Sequence, residues 1–404
     1  MLRGKTVIVA VTGSIAAYKM ADCVRRLTKL HANVHVLMTQ NACQFINPVT
    51  FETLTNNKCL IDTFDRSFQY SVEHVSLATK ADIALIAPAS ANVIGKLANG
   101  IADDMLTTTI MACTCQKLIA PAMNHNMLHN PIVEDNIKKL KRYGYEIIEP
   151  EHGMLANGDV GDGRLPDSEL LVKWVLQKIA KSKDLSGLKI LVSAGATCEQ
   201  IDPVRYITNH STGKMGIALA ECASMRGAQV TLVAAQCSVK MPEFVKIRNV
   251  ESAKQMYNEI MAIKDDFDII IMAAAVADYT PKEVSQSKIK KSDEELTIEL
   301  KRTDDILKAI GESKSDEQII CGFSMETENL YENSKKKLES KNCDLICANS
   351  LNIIGAGFGA DTNVITMITK TQTQQLSRMS KADAANIILD KILEIKSEKS
   401  NEKN

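Results

Sequence analysis

Short runs of Val, Ile and Leu alternate with longer amphipathic stretches from one end of the chain to the other. Runs without a polar face must be covered on both sides, a condition that parallel sheets wrapped in helices meet. In the first half the runs predict strands at about Thr6 to Val11, Val34 to Met38, Ile83 to Ala87, Lys117 to Ala120 and Glu146 to Ile148. In the second half they predict strands at about Lys189 to Ser193, Gln229 to Ala234, Asp268 to Ala273, Ile319 to Phe323, Asp344 to Ala348 and Asn363 to Thr369. Helical patterns fill the intervals. A helix at Asp167 to Ala180 carries the single Trp, and a polar stretch, Lys181-Ser-Lys-Asp-Leu-Ser-Gly187, follows it before a fresh strand begins. The pattern predicts two α/β domains, 1–181 and 188–396, a linker at 182–187 and a disordered polar tail at 397–404.

At 404 residues the chain exceeds what one ordinary core fills. A hydrophobic fraction of 45% with 24% charged residues excludes wholesale disorder and fibrous repeats. A formal net charge of -1 offers no surplus for nucleic acid or an anionic membrane, so small-molecule partners are expected. Eleven cysteines is an odd number, and the apolar run Val7 to Val11 is too short for a signal segment or a membrane span. Reduced thiols and a cytoplasmic location are the expectation.

Candidate chemistry in the first half sits at strand ends. Gly13 and Ser14 fall between a buried strand and a helix starting near Ile15. Free backbone N–H groups there suit an anion, although a plain tight turn has the same signature. The three glycines of a dinucleotide fingerprint are missing, so a mononucleotide phosphate fits better than NAD. Ala87-Pro-Ala-Ser-Ala-Asn92 and Ala120-Pro-Ala-Met-Asn-His125 follow two further strands at their carboxyl ends, with GKLANGIADD (95–104) between them.

Together these segments, above all PxSANxxxKxAxGxxD and PAMN, resemble the flavin-dependent cysteine decarboxylases over nearly all of residues 5 to 166. The resemblance implies a flavodoxin-like FMN-binding domain with trimeric contacts. It assigns Gly13, Ser14, Thr39, Ser90 and Asn92 to the cofactor, His74 to catalysis and Asn124 to the substrate carboxylate. Taken alone, a single histidine on a half-apolar helix reads as a packed or surface residue, and an Asn before a helix as a turn former. The chemistry calls for such a set. Loss of CO2 from an acyl-cysteine leaves a carbanion without an electron sink, so the thiol carbon must first be oxidised to C=S, with FMN as oxidant and His74 as base. One departure stands out: the family's coenzyme A branch places a proton-donating Cys in an A-C-G-D motif, and here Asn157 occupies that position. A carboxamide cannot act as a thiol acid. Water or another residue must give the proton, or the reaction stops at the enethiol.

In the second half, His210-Ser-Thr-Gly-Lys-Met-Gly216 fails the Walker pattern twice, at Thr208 and at Met215, which excludes a P-loop NTPase. The longer run from Ser193 to Lys214 resembles the phosphopantothenate-cysteine ligases, whose later motifs follow in order at 273–279, 287–291, 322–327 and 335–341. The two families occur fused in this order in the bacterial bifunctional coenzyme A biosynthesis proteins, and the chain is identified as a member of that fused family. The resemblance implies a Rossmann-like α/β ligase domain with dimeric contacts, hence a homo-oligomer up to a dodecamer. It further implies CTP-dependent activation of 4'-phosphopantothenate, attack by L-cysteine, and Mg2+ on unspecified ligands. Its nucleotide pocket would comprise Ala273, Ala274, Asp278, Lys288, Asp305, Ile306, Phe323, Lys337 and Lys341, with Asn209 and Lys288 catalytic. A lysine and Mg2+ stabilise charge built up at the α-phosphate, and a neutral Asn holds an acyl-nucleotide without attacking it. Without the resemblance, Lys335 to Lys341 reads as a solvated charge run, with Lys337 and Lys341 on one helix face. Thr303 and Asp304 replace the family's Asn-Pro, and the added carboxylate disfavours a triphosphate unless a cation offsets it. Two other readings are a flavin-binding regulatory subunit and an oxidative cysteine decarboxylase that releases an enethiol.

Overall fold

The computed structural model describes residues 1–63, 73–154, 158–291, 295–326, 329–350 and 360–401, and it divides into two compact units, Met1–Lys181 and Ser182–Asn404.

The first unit is built on five parallel strands, β1 (Thr6–Val11), β2 (Asn33–Met38), β3 (Ile83–Ala89), β4 (Gln116–Pro121) and β5 (Glu146–Ile147), in the order β2-β1-β3-β4-β5. The alternation of side chains along a strand explains why β1 is apolar and buried at every position after Thr6. Val7, Val9 and Val11 join a cluster with Val24 and Leu27 of helix Met20–Lys29, while Ile8 and Ala10 join another with Ile94 and Leu97 of helix Ala91–Asn99. Each such Val, Leu or Ile side chain, when fully buried, contributes about 1.5–3 kcal/mol. After β5 comes an antiparallel hairpin, β6 (Glu151–Met154) and β7 (Val160–Arg164), which the hydrophobic pattern does not reveal.

In the second unit β8 (Lys189–Ala194) is followed by a short antiparallel pair, β9 (Cys198–Gln200) and β10 (Tyr206–Thr208), and then by β11 (Gln229–Ala234), β12 (Lys246–Asn249) and β13 (Ile269–Met272). A second small pair, β14 (Tyr279–Pro281) and β15 (Leu300–Arg302), precedes β16 (Ile319–Glu326) and β17 (Leu345–Ser350). Past these lie β18 (Thr362–Asn363), β19 (Ile365–Ile368), β20 (Thr373–Gln375) and β21 (Met379–Ser380). The main sheet runs β12-β11-β8-β13-β16-β17-β19-β20; it is parallel through β17, and β19 and β20 are antiparallel. The first six of these strands have the order of a dinucleotide-binding fold.

Two expectations need correction. The polar stretch 182–187 belongs to the second unit: Leu185 is fully buried in its core, and Asp184 makes a paired hydrogen bond with Arg226 at 2.9 and 2.6 Å. The tail read as disordered from residue 397 is helical as far as Asn401, because Lys381–Asn401 is one continuous helix packed by Ile388, Leu389 and Ile392. Near its end Lys399 meets Asp344 at 2.7 Å, a buried carboxylate that also pairs with Lys314 at 3.1 Å.

Candidate active sites

In the first unit the strand order reverses between β1 and β3, and in open α/β sheets the crevice beyond such a reversal is where ligands sit. Gly13 and Ser14 follow β1, Thr39 follows β2, Ser90 and Asn92 follow β3, and Asn124 follows β4, so all six stand at the carboxyl edge of the sheet. Buried Thr12 ties two of these loops together: its hydroxyl donates to the Pro88 carbonyl at 2.6 Å and accepts from the Ser90 amide at 2.8 Å. Ser14 caps the short helix Ile15–Lys19 and accepts from the Ala16 amide. A Cβ at position 13 would come within 2.7 Å of the Asn41 Cβ, so only glycine lets these two loops approach so closely. The Gly13 amide has no partner among the described residues, which suits it to an anionic oxygen.

Helix Glu73–Lys80 runs antiparallel to β3 and brings the position of His74, in its first turn, to the same edge of the sheet. Asn124 caps helix His125–Leu128 through its Oδ1, which accepts from the Asn126 amide at 2.9 Å and leaves its NH2 without a partner among the described residues. Strand β7 presses on this turn, the Met123 amide donating to the Gly163 carbonyl at 3.1 Å. Gly163 has φ of 121°, and a Cβ there would strike the Met123 oxygen at 2.2 Å. Asn157 lies outside the described residues. The GKLANGIADD segment turns out to be scaffolding: Lys96 pairs with Asp103 and Asp104 at 2.6 and 3.0 Å, and Asp104 forms a capping box with Thr107. Burial pushes the Asp104 carboxyl up, but the Thr107 amide and Lys96 outweigh it and hold it below the usual range.

The second unit encloses a cavity of about 930 Å³ at the carboxyl ends of β13 and β16. Ala273, Ala274 and Asp278 line it where the chain leaves β13, and Phe323 lines it from β16. The turn after β13 is pinned from β8 and the turn that follows it: the Ala274 amide donates to Ser193 Oγ at 3.1 Å and the Ala277 amide to Thr197 Oγ1 at 2.9 Å. Asn209 donates to the Ala275 carbonyl at 3.2 Å, which fixes its side chain at the cavity wall. Asp305 and Ile306 open helix Ile306–Ser313, and Asp305 both caps that helix and pairs with Lys341 at 3.0 Å. Lys337 and Lys341 line the same space. Lys288 does not: it is exposed on a loop held from behind, where the Ile289 amide donates to Asp202 and Arg205 donates to the Ile289 carbonyl. The departure at 303–304 is accommodated. Thr303 donates to the Ala277 carbonyl at 2.6 Å, and Lys254 meets the added Asp304 carboxylate at 2.9 Å.

Family models match both units, a Flavoprotein domain at residues 1–180 and a DNA/pantothenate metabolism flavoprotein C-terminal domain at residues 185–395. The Coenzyme A biosynthesis bifunctional protein CoaBC of Bacillus subtilis is 47% identical over 97% of this chain and 97% of its own length. The chain belongs to the bifunctional coenzyme A biosynthesis family. A Cysteine/Cysteine sulfinic acid decarboxylase from an unknown prokaryotic organism is 42% identical over 86% of this chain and 99% of its own. The crystal structure of a CoaBC C-terminal domain is 41% identical, covers 52% of this chain and 96% of that one, and superposes with a TM-score of 0.45.

For a member of this bifunctional family, motif reading overlooked three residues at the cavity of the second unit. Lys214 and Lys381 both line it; Lys214 pairs with Asp361 at 2.7 Å and Lys381 donates to Asn363 at 3.1 Å. Burial lowers the Lys381 ammonium pKa, and Lys214 adds to the effect while Asp361 opposes it. Two half-buried ammonium groups that repel each other favour an anion between them. Asn349, at the end of β17, also lines the cavity, and its buried Oδ1 has no partner among the described residues. The sequence signal for Lys214 was the Ser-Thr-Gly-Lys run itself; nothing local marked the other two.

Proposed function

We propose that the second unit condenses 4'-phosphopantothenate with L-cysteine at the expense of CTP, and that the first decarboxylates the resulting 4'-phosphopantothenoylcysteine to 4'-phosphopantetheine, using FMN as its flavin. Both activities follow from membership of the bifunctional family, with both domains matched. The observation that carries the ligase reading is a cavity whose lysines converge from the start of helix Lys214–Met225, the end of helix Leu330–Ser340 and the start of the C-terminal helix. Such an array suits a ligand with phosphates at more than one place.

In the ligase unit, Lys337 and Lys341 take the nucleotide phosphates and Asp305 keeps Lys341 aimed inward. Lys214 and Lys381 take the second anion, the phosphate of 4'-phosphopantothenate. Asn209 orients the activated carboxylate without competing as a nucleophile. Lys288 reaches the reacting phosphate only when its loop moves inward from the exposed position it holds here. The exposed Asp278 carboxylate, without a partner among the described residues, suits Mg2+ bound mainly by substrate phosphates.

In the decarboxylase unit the free Gly13 amide, Ser14, Thr39 and Ser90 fit a flavin mononucleotide phosphate, and the bound flavin supplies the two-electron oxidation that makes decarboxylation possible. His74 removes the proton from the substrate, and the Asn124 NH2 donates to its carboxylate until CO2 leaves. Water takes the place of the missing thiol acid at Asn157. Trimeric contacts through the first unit, dimeric contacts through the second and a cytoplasmic location complete the reading; no helix among the described residues is long and apolar enough to cross a membrane. The test is product analysis by mass spectrometry from 4'-phosphopantothenate, cysteine, CTP and Mg2+: 4'-phosphopantetheine is expected, and a product lacking two hydrogens would mean the enethiol is released.

A further inference from the structure

Three of the seven histidines gather around one carboxylate in the first unit. His125 and His129 are four residues apart on either side of one helical turn, and their rings meet edge to face with centroids 4.5 Å apart. Asp162, on β7, reaches between them: His129 Nε2 is 3.1 Å from Asp162 Oδ2, and the Asp162 amide points at His125 Nδ1 from 3.3 Å. One ligating atom from each of the three lies within 4.8 Å of the others.

We propose that His125, His129 and Asp162 form a binding site for one divalent transition-metal ion, of which Zn2+ is the best match. Two imidazoles and a carboxylate suit zinc among the biological divalent ions, with water completing the shell. Ligands held about 2.0–2.1 Å from a tetrahedral zinc stand about 3.4 Å from one another, and the His129–Asp162 pair already has nearly that spacing. Outer partners are in place as well. Glu134 Oε1 lies 3.3 Å from His129 Nδ1 and holds the ring proton there, which leaves Nε2 for the metal. His152, on β6, meets the other Asp162 oxygen at 3.0 Å and fixes the carboxylate with Oδ2 toward the site. Binding costs little existing structure: His125 gives up one long bond from the Asp162 amide. The ion would fasten the β6–β7 hairpin to the helix that starts just after Asn124. The site is half-exposed and open to solvent exchange, so occupancy follows the zinc concentration and the ion is not a permanent structural part.

Chelator-treated full-length protein, dialysed against increasing Zn2+, should saturate at one zinc per chain. The zinc X-ray absorption spectrum should show a nitrogen and oxygen shell at about 2.0 Å with no sulfur shell at about 2.3 Å. His129→Asn and Asp162→Asn should each weaken binding by about a hundredfold, and His152→Asn, which only steadies the carboxylate, by about tenfold. Hydrogen exchange in residues 158–164 should slow when zinc is added to wild type and stay unchanged in Asp162→Asn. An unchanged flavin spectrum and circular dichroism confirm that the variants are folded. A sulfur shell, or equal affinity in wild type and Asp162→Asn, overturns the proposal, because either would place the zinc on the chain's thiols or nowhere specific.

Discussion

Both units offer the same stage, the carboxyl ends of parallel strands beside a reversal of strand order, but they furnish it in opposite ways. At the edge of the first sheet stand a glycine, hydroxyls and carboxamides, with backbone amides as the main polar groups. At the edge of the second stand five lysines and three aspartates around a cavity. A site that receives a cofactor with its own reactivity needs close approach and fixed hydrogen bonds. A site that must stabilise charge developing on a phosphate needs charges already in place.

The sharpest way to break this contrast is to remove one charged or proton-bearing group from each site. His74→Asn should lower CO2 release by about 10²–10⁴-fold while the flavin stays bound, as checked by single-turnover assay and absorption spectrum. Lys341→Met and Lys288→Gln should each lower cytidylate formation by about 10²–10³-fold and leave the flavin spectrum untouched. If Lys341→Met is damaging and Lys288→Gln is not, the loop carrying Lys288 does no chemistry.

A smaller effect separates the units by stability. Asp184→Asn removes a carboxylate that Arg226 holds below its usual pKa. Arg226 keeps Asp390 at 2.7 Å and Asp184 is partly exposed, so the loss should be about 1–2 kcal/mol in urea unfolding at pH 7. Because the folded pKa is the lower one, the stabilisation is complete above the unfolded value of about 3.9 and fades as pH falls through the folded value, where wild type and variant converge. Asp104→Ala should cost the first unit about 1 kcal/mol by removing a cap, with no change in substrate affinity. Smallest of all, Asn157→Cys should change overall turnover by less than about threefold in stopped-flow measurements if water already delivers the proton.

Hydrophobic runs located nearly every strand of both main sheets, because a strand buried on two faces has no polar positions to blur its edges. They missed the β6–β7 hairpin, whose segments Glu151–Met154 and Val160–Arg164 carry glycines and charges and little apolar alternation. They also misjudged the last helix, since its final turns are fixed by Lys399 reaching Asp344, a contact made between residues 55 positions apart. Cavity-lining residues were legible where a motif clusters them after a strand, as at 273–278 and 305–306. Lys381 and Asn349 were not, because each is brought to the cavity by an element whose own sequence is ordinary: the start of the long C-terminal helix and the end of a buried strand. The PxSAN-to-Asp104 motif teaches the reverse, for much of its specificity is the demand of caps and turns.

The placement of Lys381–Asn401 in the core of the second unit also bears on how the chain is made. Ala384, Ala385, Ile388 and Leu389 fill space against strands that begin at residue 189, so that core stays open until these residues have left the ribosome. The first unit is complete once Lys181 has emerged, and it can close and take up flavin while the second unit is still being synthesised. A nonsense or frameshift event late in the message would leave a decarboxylase unit able to fold beside a ligase unit that is not.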